Sequence, residues 1–229
     1  MSRPTFLSAS RFGRVAAALC LSGLLAACGD DLEPKPGDDL EPTDGTHISH
    51  VSNADGSITT TVNATDSSLW IGLDLDEGAQ VPPETDALWD LSFNRYHIRS
   101  RGGVNGTGGV EVAVVTGQDF AALTQAPASG YAVDKDDGDD EGADPDTVFE
   151  ANGAWYSYDV STHKLTPRAQ LYVVRSDSGA YFKVKMESYY DDAGTPAMLK
   201  LRWSKLTAPT GGAGVDEVPS EGISAEVSR

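Results

Sequence analysis

The stretch Ala180-Tyr181-Phe182-Lys183-Val184-Lys185-Met186-Glu187-Ser188-Tyr189-Tyr190 decides the class of fold. Ala180, Phe182, Val184 and Met186 alternate with Tyr181, Lys183, Lys185 and Glu187. A period of two belongs to a strand with one buried and one solvated face, not to a helix. Residues 197–206 repeat it, with Leu199, Leu201 and Trp203 on one side and Lys200, Arg202 and Ser204 on the other. Asp177-Ser178-Gly179 supplies a turn ahead of the first run, and residues 170–176 and 155–160 read as strands before that turn. Further upstream, strands are expected at 110–116, 88–100 and 68–75, and at 57–64 and 47–52 around the turn Asn53-Ala54-Asp55-Gly56. Residues 118–123 read as a short helix. No long segment of helical period lies downstream of the N-terminus. The expectation is therefore a single all-β domain over residues 47–208, built of mainly antiparallel strands. The Gly-, Pro- and Glu-rich residues 209–229 read as a disordered tail.

The N-terminus has another character. Arg3, Arg11 and Arg14 precede an apolar run from Val15 to Ala27 that ends in small residues, the order of a secretory signal peptide over residues 1–27. The run is shorter than the roughly 20 residues that span a bilayer. Leu25-Ala26-Ala27-Cys28 matches a lipobox, in which the cysteine sulfur accepts a diacylglycerol before cleavage. The plainer alternative is an ordinary signal with a chance cysteine. Cys20 and Cys28 are the only cysteines, so removal of the first and acylation of the second leave no disulfide. Residues 28–46 read as an acidic, disordered linker, with Gly-Asp-Asp-Leu-Glu-Pro occurring twice in tandem. Gly29, rather than an aspartate, after the cysteine is compatible with transfer to the outer membrane. The acidic run resembles surface-export signals, so the expected location is the periplasmic or cell-surface face of that membrane.

The formal charge of −18 disfavours nucleic acid and anionic lipid headgroups as partners. No nucleophile elbow, phosphate-binding loop, dinucleotide fingerprint or zinc HExxH is present, and most carboxylates lie in two acidic runs, so the expectation is not an enzyme. The run from Asp134 to Asp146 resembles a calcium loop in composition. Its register is wrong: Gly138 stands where a third ligand is needed and no glutamate lies twelve positions from Asp134. A solvated insertion without calcium is expected there. Of the four histidines, His47 and His50 flank an edge strand and read as surface residues. His97 lies in the expected strand 88–100, where Arg95, His97 and Arg99 would share one basic face. That face could meet an anionic ligand or neutralise neighbouring carboxylates. His163 sits in a loop between strands, from which a side chain can turn outward to a ligand or simply to solvent.

Several segments together resemble the HmuY-like haem-binding lipoproteins. These are Trp89-Asp90-Leu91-Ser92-Phe93-Asn94-Arg95-Tyr96-His97-Ile98-Arg99, Ala126-Pro127-Ala128-Ser129-Gly130-Tyr131, and Trp155-Tyr156-Ser157-Tyr158 through Thr162-His163-Lys164-Leu165-Thr166-Pro167. Tyr172-Val173-Val174-Arg175, the run Tyr181–Tyr190, Gly194-Thr195-Pro196 and the strand to Trp203 follow in the same order. The resemblance implies an all-β fold whose long hairpins grip haem, and a role in haem capture for an outer-membrane importer. Two side chains, usually histidines, would hold the iron. His163 matches a position often occupied by histidine in similar sequences. His97 is the choice for second ligand because of its basic face, with Arg95 or Arg99 meeting the haem propionates. Met186 and Met198 are the alternatives, since a thioether also ligates haem iron. The competing reading is a β-structured envelope lipoprotein that binds a protein or another small molecule, without haem, in the same cleft.

Overall fold

The computed structural model describes residues 40–85, 88–136, 147–151 and 154–210. The signal peptide, Cys28, the first part of the linker, the tail from residue 211 and most of the acidic loop lie outside them. Thirteen strands follow in order: β1 (Ile48–Ser52), β2 (Ile58–Asn63), β3 (Ile71–Asp74), β4 (Ala79–Val81), β5 (Leu91–Asn94), β6 (His97–Ser100), β7 (Glu111–Thr116), β8 (Tyr131–Ala132), β9 (Tyr156–Asp159), β10 (Lys164–Pro167), β11 (Gln170–Arg175), β12 (Tyr181–Tyr190) and β13 (Pro196–Leu206). They form a seven-stranded sheet of order β1-β2-β13-β12-β11-β7-β8, a four-stranded sheet of order β4-β3-β5-β6, and the separate hairpin β9-β10. Neighbouring strands in these sheets pair antiparallel, as expected of an all-β chain.

The alternation in β12 and β13 builds the main core. Phe182, Val184, Met186, Leu199, Leu201 and Trp203 pack against Ile71, Leu73, Leu91, Phe93 and Ile98 of the smaller sheet. The far side of the large sheet is covered as well: Ala113, Leu171, Val173 and Leu206 pack with Phe120, Leu123 and Ala126. That cover changes the fate of Lys183, which alternation places on the solvated face. It is 8 % exposed, with Nζ donating to Phe120 O at 2.7 Å and Leu123 O at 2.8 Å. The same bonds account for the absence of the helix expected at 118–123. The segment makes one turn, Ala122 N and Leu123 N both donating to Asp119 O, and its next carbonyls go to the lysine.

Two further expectations are corrected. The single strand at 88–100 is the hairpin β5-β6, with Asn94 opposite His97 and only Arg95-Tyr96 between them. Arg95 takes a left-handed φ of 53°. Side chains enforce the turn: Asn94 Nδ2 donates to Ser67 O and Leu69 O at 2.9 and 2.7 Å, and Arg95 Nη1 donates to Thr65 O at 2.9 Å. Arg95 therefore does not share the face of His97 and Arg99. Residues 40–46, expected in the linker, lie on the domain. Leu40 packs on the core, Thr43 bridges to Ala79 and Gly45 N donates to Ile48 O at 2.8 Å.

In β12 the pairing with β13 slips twice, after Met186 and after Ser188. Such irregularities turn a strand and re-aim its side chains. Buried positions pass from Met186 to Tyr189, which brings Tyr189 and Tyr190 to the end of the sheet beside the β9-β10 hairpin.

Candidate ligand-binding site

The β9-β10 hairpin is fastened at its root. Trp155 is fully buried and its Nε1 donates to Tyr96 O at 2.9 Å, while Arg168 N donates to Trp155 O at 2.8 Å. Halfway along, Leu165 N donates to Tyr190 Oη at 3.1 Å. Beyond that point Tyr158 and Val160 are exposed. The loop at the tip is shaped by Asp159, whose Oδ1 accepts from Ser161 N, Ser161 Oγ and Thr162 N. These donors hold its carboxyl down at about 2. His163 closes the loop with φ of 55°, a conformation in which a non-glycine residue is uncommon. Its Nδ1 lies 2.5 Å from Tyr158 Oη.

His97 opens β6 beside the hairpin root. Its Nδ1 is 3.1 and 3.3 Å from the two oxygens of Glu150, and its ring lies 4.0 Å from that of Tyr96. Tyr96 in turn meets Tyr156 edge-on at 5.7 Å. Tyr156 and Tyr158 share one face of β9, so a row of rings runs His97, Tyr96, Tyr156, Tyr158, His163. Tyr189 and Tyr190 flank it, the former 6.4 Å from Trp155 and 5.1 Å from its neighbour. Burial raises the pKa of Tyr156 and Tyr189, so these phenols stay neutral. The row has an imidazole at each end. At about 3.3 Å per residue the hairpin carries His163 about 13 Å from the root where His97 stands.

Arg99 shares the face of His97, but its guanidinium lies 3.9 Å over the Trp70 ring and its Nε donates to Ser92 Oγ at 2.8 Å. Met186 is 3 % exposed and packs within the core. Met198 is half-buried in β13, opposite Asn63. His50 is half-buried, with Nδ1 2.8 Å from Thr60 Oγ1, and burial lowers its pKa. Asp134 turns inward: it accepts from Ser100 N, Asn105 Nδ2 and Val148 N at 2.7 to 2.8 Å, so its carboxylate is spent on anchoring the base of the acidic loop. Among the described residues, Asp74, Asp76 and Asp90 bring carboxylate oxygens within 4.8 Å of one another. The two buried ones pin backbone, Asp74 accepting from Asp76 N and Glu77 N and Asp90 from Leu75 N and Asp177 N.

Sequence reasoning singled out the two histidines as candidates, and did not single out Glu150, Tyr96, Tyr156 or Tyr158, which the fold places beside them. The spacing of Tyr156 and Tyr158 was a usable signal. Glu150, 53 positions from His97, gave none.

Comparison with known proteins gives one family. The family model described as HmuY protein matches residues 66–203. A crystal structure described as an HmuY-like heme-binding protein from Bacteroides vulgatus superposes with a TM-score of 0.52 at 18 % identity, covering 69 % of this chain and 96 % of that one. A lipoprotein structure from Bacteroides fragilis gives 0.51 at 18 %, covering 69 % and 93 %, and an apo HmuY analog from Tannerella forsythia gives 0.50 at 15 %, covering 72 % and 99 %. The curated proteins contain no match. With more than half of its length matched by the family model, and the two-sheet body with its separate hairpin in place, this chain belongs to the HmuY family.

Proposed function

We propose that this protein is a haem-binding lipoprotein of the outer membrane, anchored through lipid on Cys28, which captures or relays haem for an importer and performs no catalysis. The observation that carries the reading is the row of tyrosines ending in His97 and His163. Its elements suit the ligand: neutral imidazole binds iron, and aromatic faces cover a porphyrin. The description of the Bacteroides vulgatus relative as heme-binding supports the same ligand. His97 and His163 are the residues that would hold the iron, the one beside the sheet and the other at the exposed end of the hairpin.

Titration of the purified protein with hemin tests the reading. The expected result is a sharp Soret band with low-spin features at one equivalent, which His163→Ala abolishes or converts to high spin. A free-hemin spectrum at micromolar protein overturns it.

A further inference from the structure

We propose that the protein has a second binding site, in the cleft between the end of β10 and the middle of β12, where Arg168 and Lys185 take the carboxylate or phosphate group of a small molecule. The site is independent of the haem reading.

The cleft arises where two strands part. β11 pairs with β12 only as far as Tyr172 opposite Val184, although β11 begins at Gln170 and β12 runs on to Tyr190. The slip of β12 against β13 after Met186 falls at the same place. Irregularities of this kind are over-represented beside functional sites. Between residues 166–169 and 185–187 the parting leaves a cavity of about 460 Å³. That volume is within the range of small-ligand pockets. Thr166, which lines it, lies opposite Ser157, whereas Leu165 lies opposite Tyr158. Successive residues of a strand face opposite ways, so Thr166 stands on the face of the hairpin turned away from Tyr156 and Tyr158.

The charge of the cleft is unlike that of the chain around it. With 35 acidic residues against 17 basic ones, carboxylates are plentiful, and Arg101, Arg175, Lys200 and Arg202 are each paired with one. Among the described residues, Arg168 and Lys185 have no such pair. Arg168 is held by its Nε, which donates to Tyr156 O at 2.9 Å and leaves the two terminal nitrogens of the fork for a ligand. Lys185 is half-buried and stands directly opposite Arg202 across the sheet, a like-charge pair that disfavours the folded state. Arg202 is drawn off to Asp55 and lies 4.6 Å over the Phe120 ring. An anion beside Lys185 relieves the remaining repulsion, and a guanidinium fork matches two oxygens of a carboxylate or phosphate. Glu187 lines the same cleft and opposes an anion, but two cations stand against it.

Titration of the purified nitrogen-15-labelled protein with succinate and with inorganic phosphate, followed in amide correlation spectra at low ionic strength, tests the site. Saturable shifts of the Ala169 and Glu187 amides are expected with at least one probe, and the probe or probes that saturate identify the acid group. Lys185→Met should weaken that binding about 5-fold, the effect of losing one partly exposed ion pair. Lys185→Arg should preserve it, and Glu187→Gln should strengthen it. Shifts that stay linear with both probes overturn the proposal, as does binding that Lys185→Met and Glu187→Gln leave unchanged.

Discussion

At the scale of single residues, Lys183 shows what neighbours do to a side chain that its own strand would send to water. Its ammonium bridges Phe120 O and Leu123 O and lies 4.4 Å over the Phe120 ring, with burial lowering its pKa. Lys183→Met should remove both bonds and leave two enclosed carbonyls, costing about 2–4 kcal/mol. Lys185→Met, two positions on, should stay within about 0.5 kcal/mol. Equilibrium urea unfolding of the two variants separates them, and equal midpoints would refute the clamp. Nothing local distinguishes these lysines in the sequence: the difference lies in a segment 60 and 63 positions away at its two contacts, which comes to rest on one of them. The same is true of the site. His97 and His163 were legible as isolated candidates, one by its basic neighbours and one by its loop. The Glu150 carboxylate and the Tyr96 ring became partners only through the fold.

Among elements, those with long uninterrupted alternation were legible almost to the residue. β12 and β13 came from period two alone, and the turns at 53–56 and 177–179 from their Asn, Asp and Gly. The β5-β6 hairpin was not, because Arg95-Tyr96 contains no residue that usually marks a tight turn. Its geometry is imposed from outside by Asn94 reaching Ser67 O and Leu69 O. Asn94→Ala should therefore destabilise the protein by about 1–3 kcal/mol and loosen the turn that carries Tyr96. Hydrogen exchange should report this as lost protection in β5 and β6 ahead of the large sheet. Unchanged protection in that pair would show that the strands alone set the turn.

For the molecule as a whole, charge and burial act in the same sense. Asp90 is fully enclosed, and desolvation, reinforced by the nearby Asp76 and Asp177, pushes its pKa to about 7 although two backbone amides oppose the shift. Arg101, whose N donates to Asp90 O, has its guanidinium paired with Asp177. A folded-state value above the unfolded one means that the native protein holds its proton longer. Stability is therefore full at low pH for this group and declines as pH rises from about 4 to 7. The shift corresponds to a loss on the order of 4 kcal/mol. Asp74 and Asp134 are shifted in the same direction, and a net charge of −18 adds self-repulsion as carboxylates ionise. His50, with its pKa lowered, runs the other way below about 6.5 and offsets a part. Urea midpoints should fall between pH 5 and 7.5, and a flat or rising profile would contradict the role given to Asp90.

The exposed outer half of the β9-β10 hairpin also bears on how such a protein can change. Tyr158, Val160 and His163 contribute little to either hydrophobic cluster, and the loop is held by its own Asp159. Substitutions at this tip escape the penalty that falls on the buried Trp155 or Leu199, so its sequence can drift while the scaffold stays fixed. Under the proposed function, one half of the haem site is in this way open to mutational exploration, and the other, beside Glu150 and the buried sheet, is constrained by the fold.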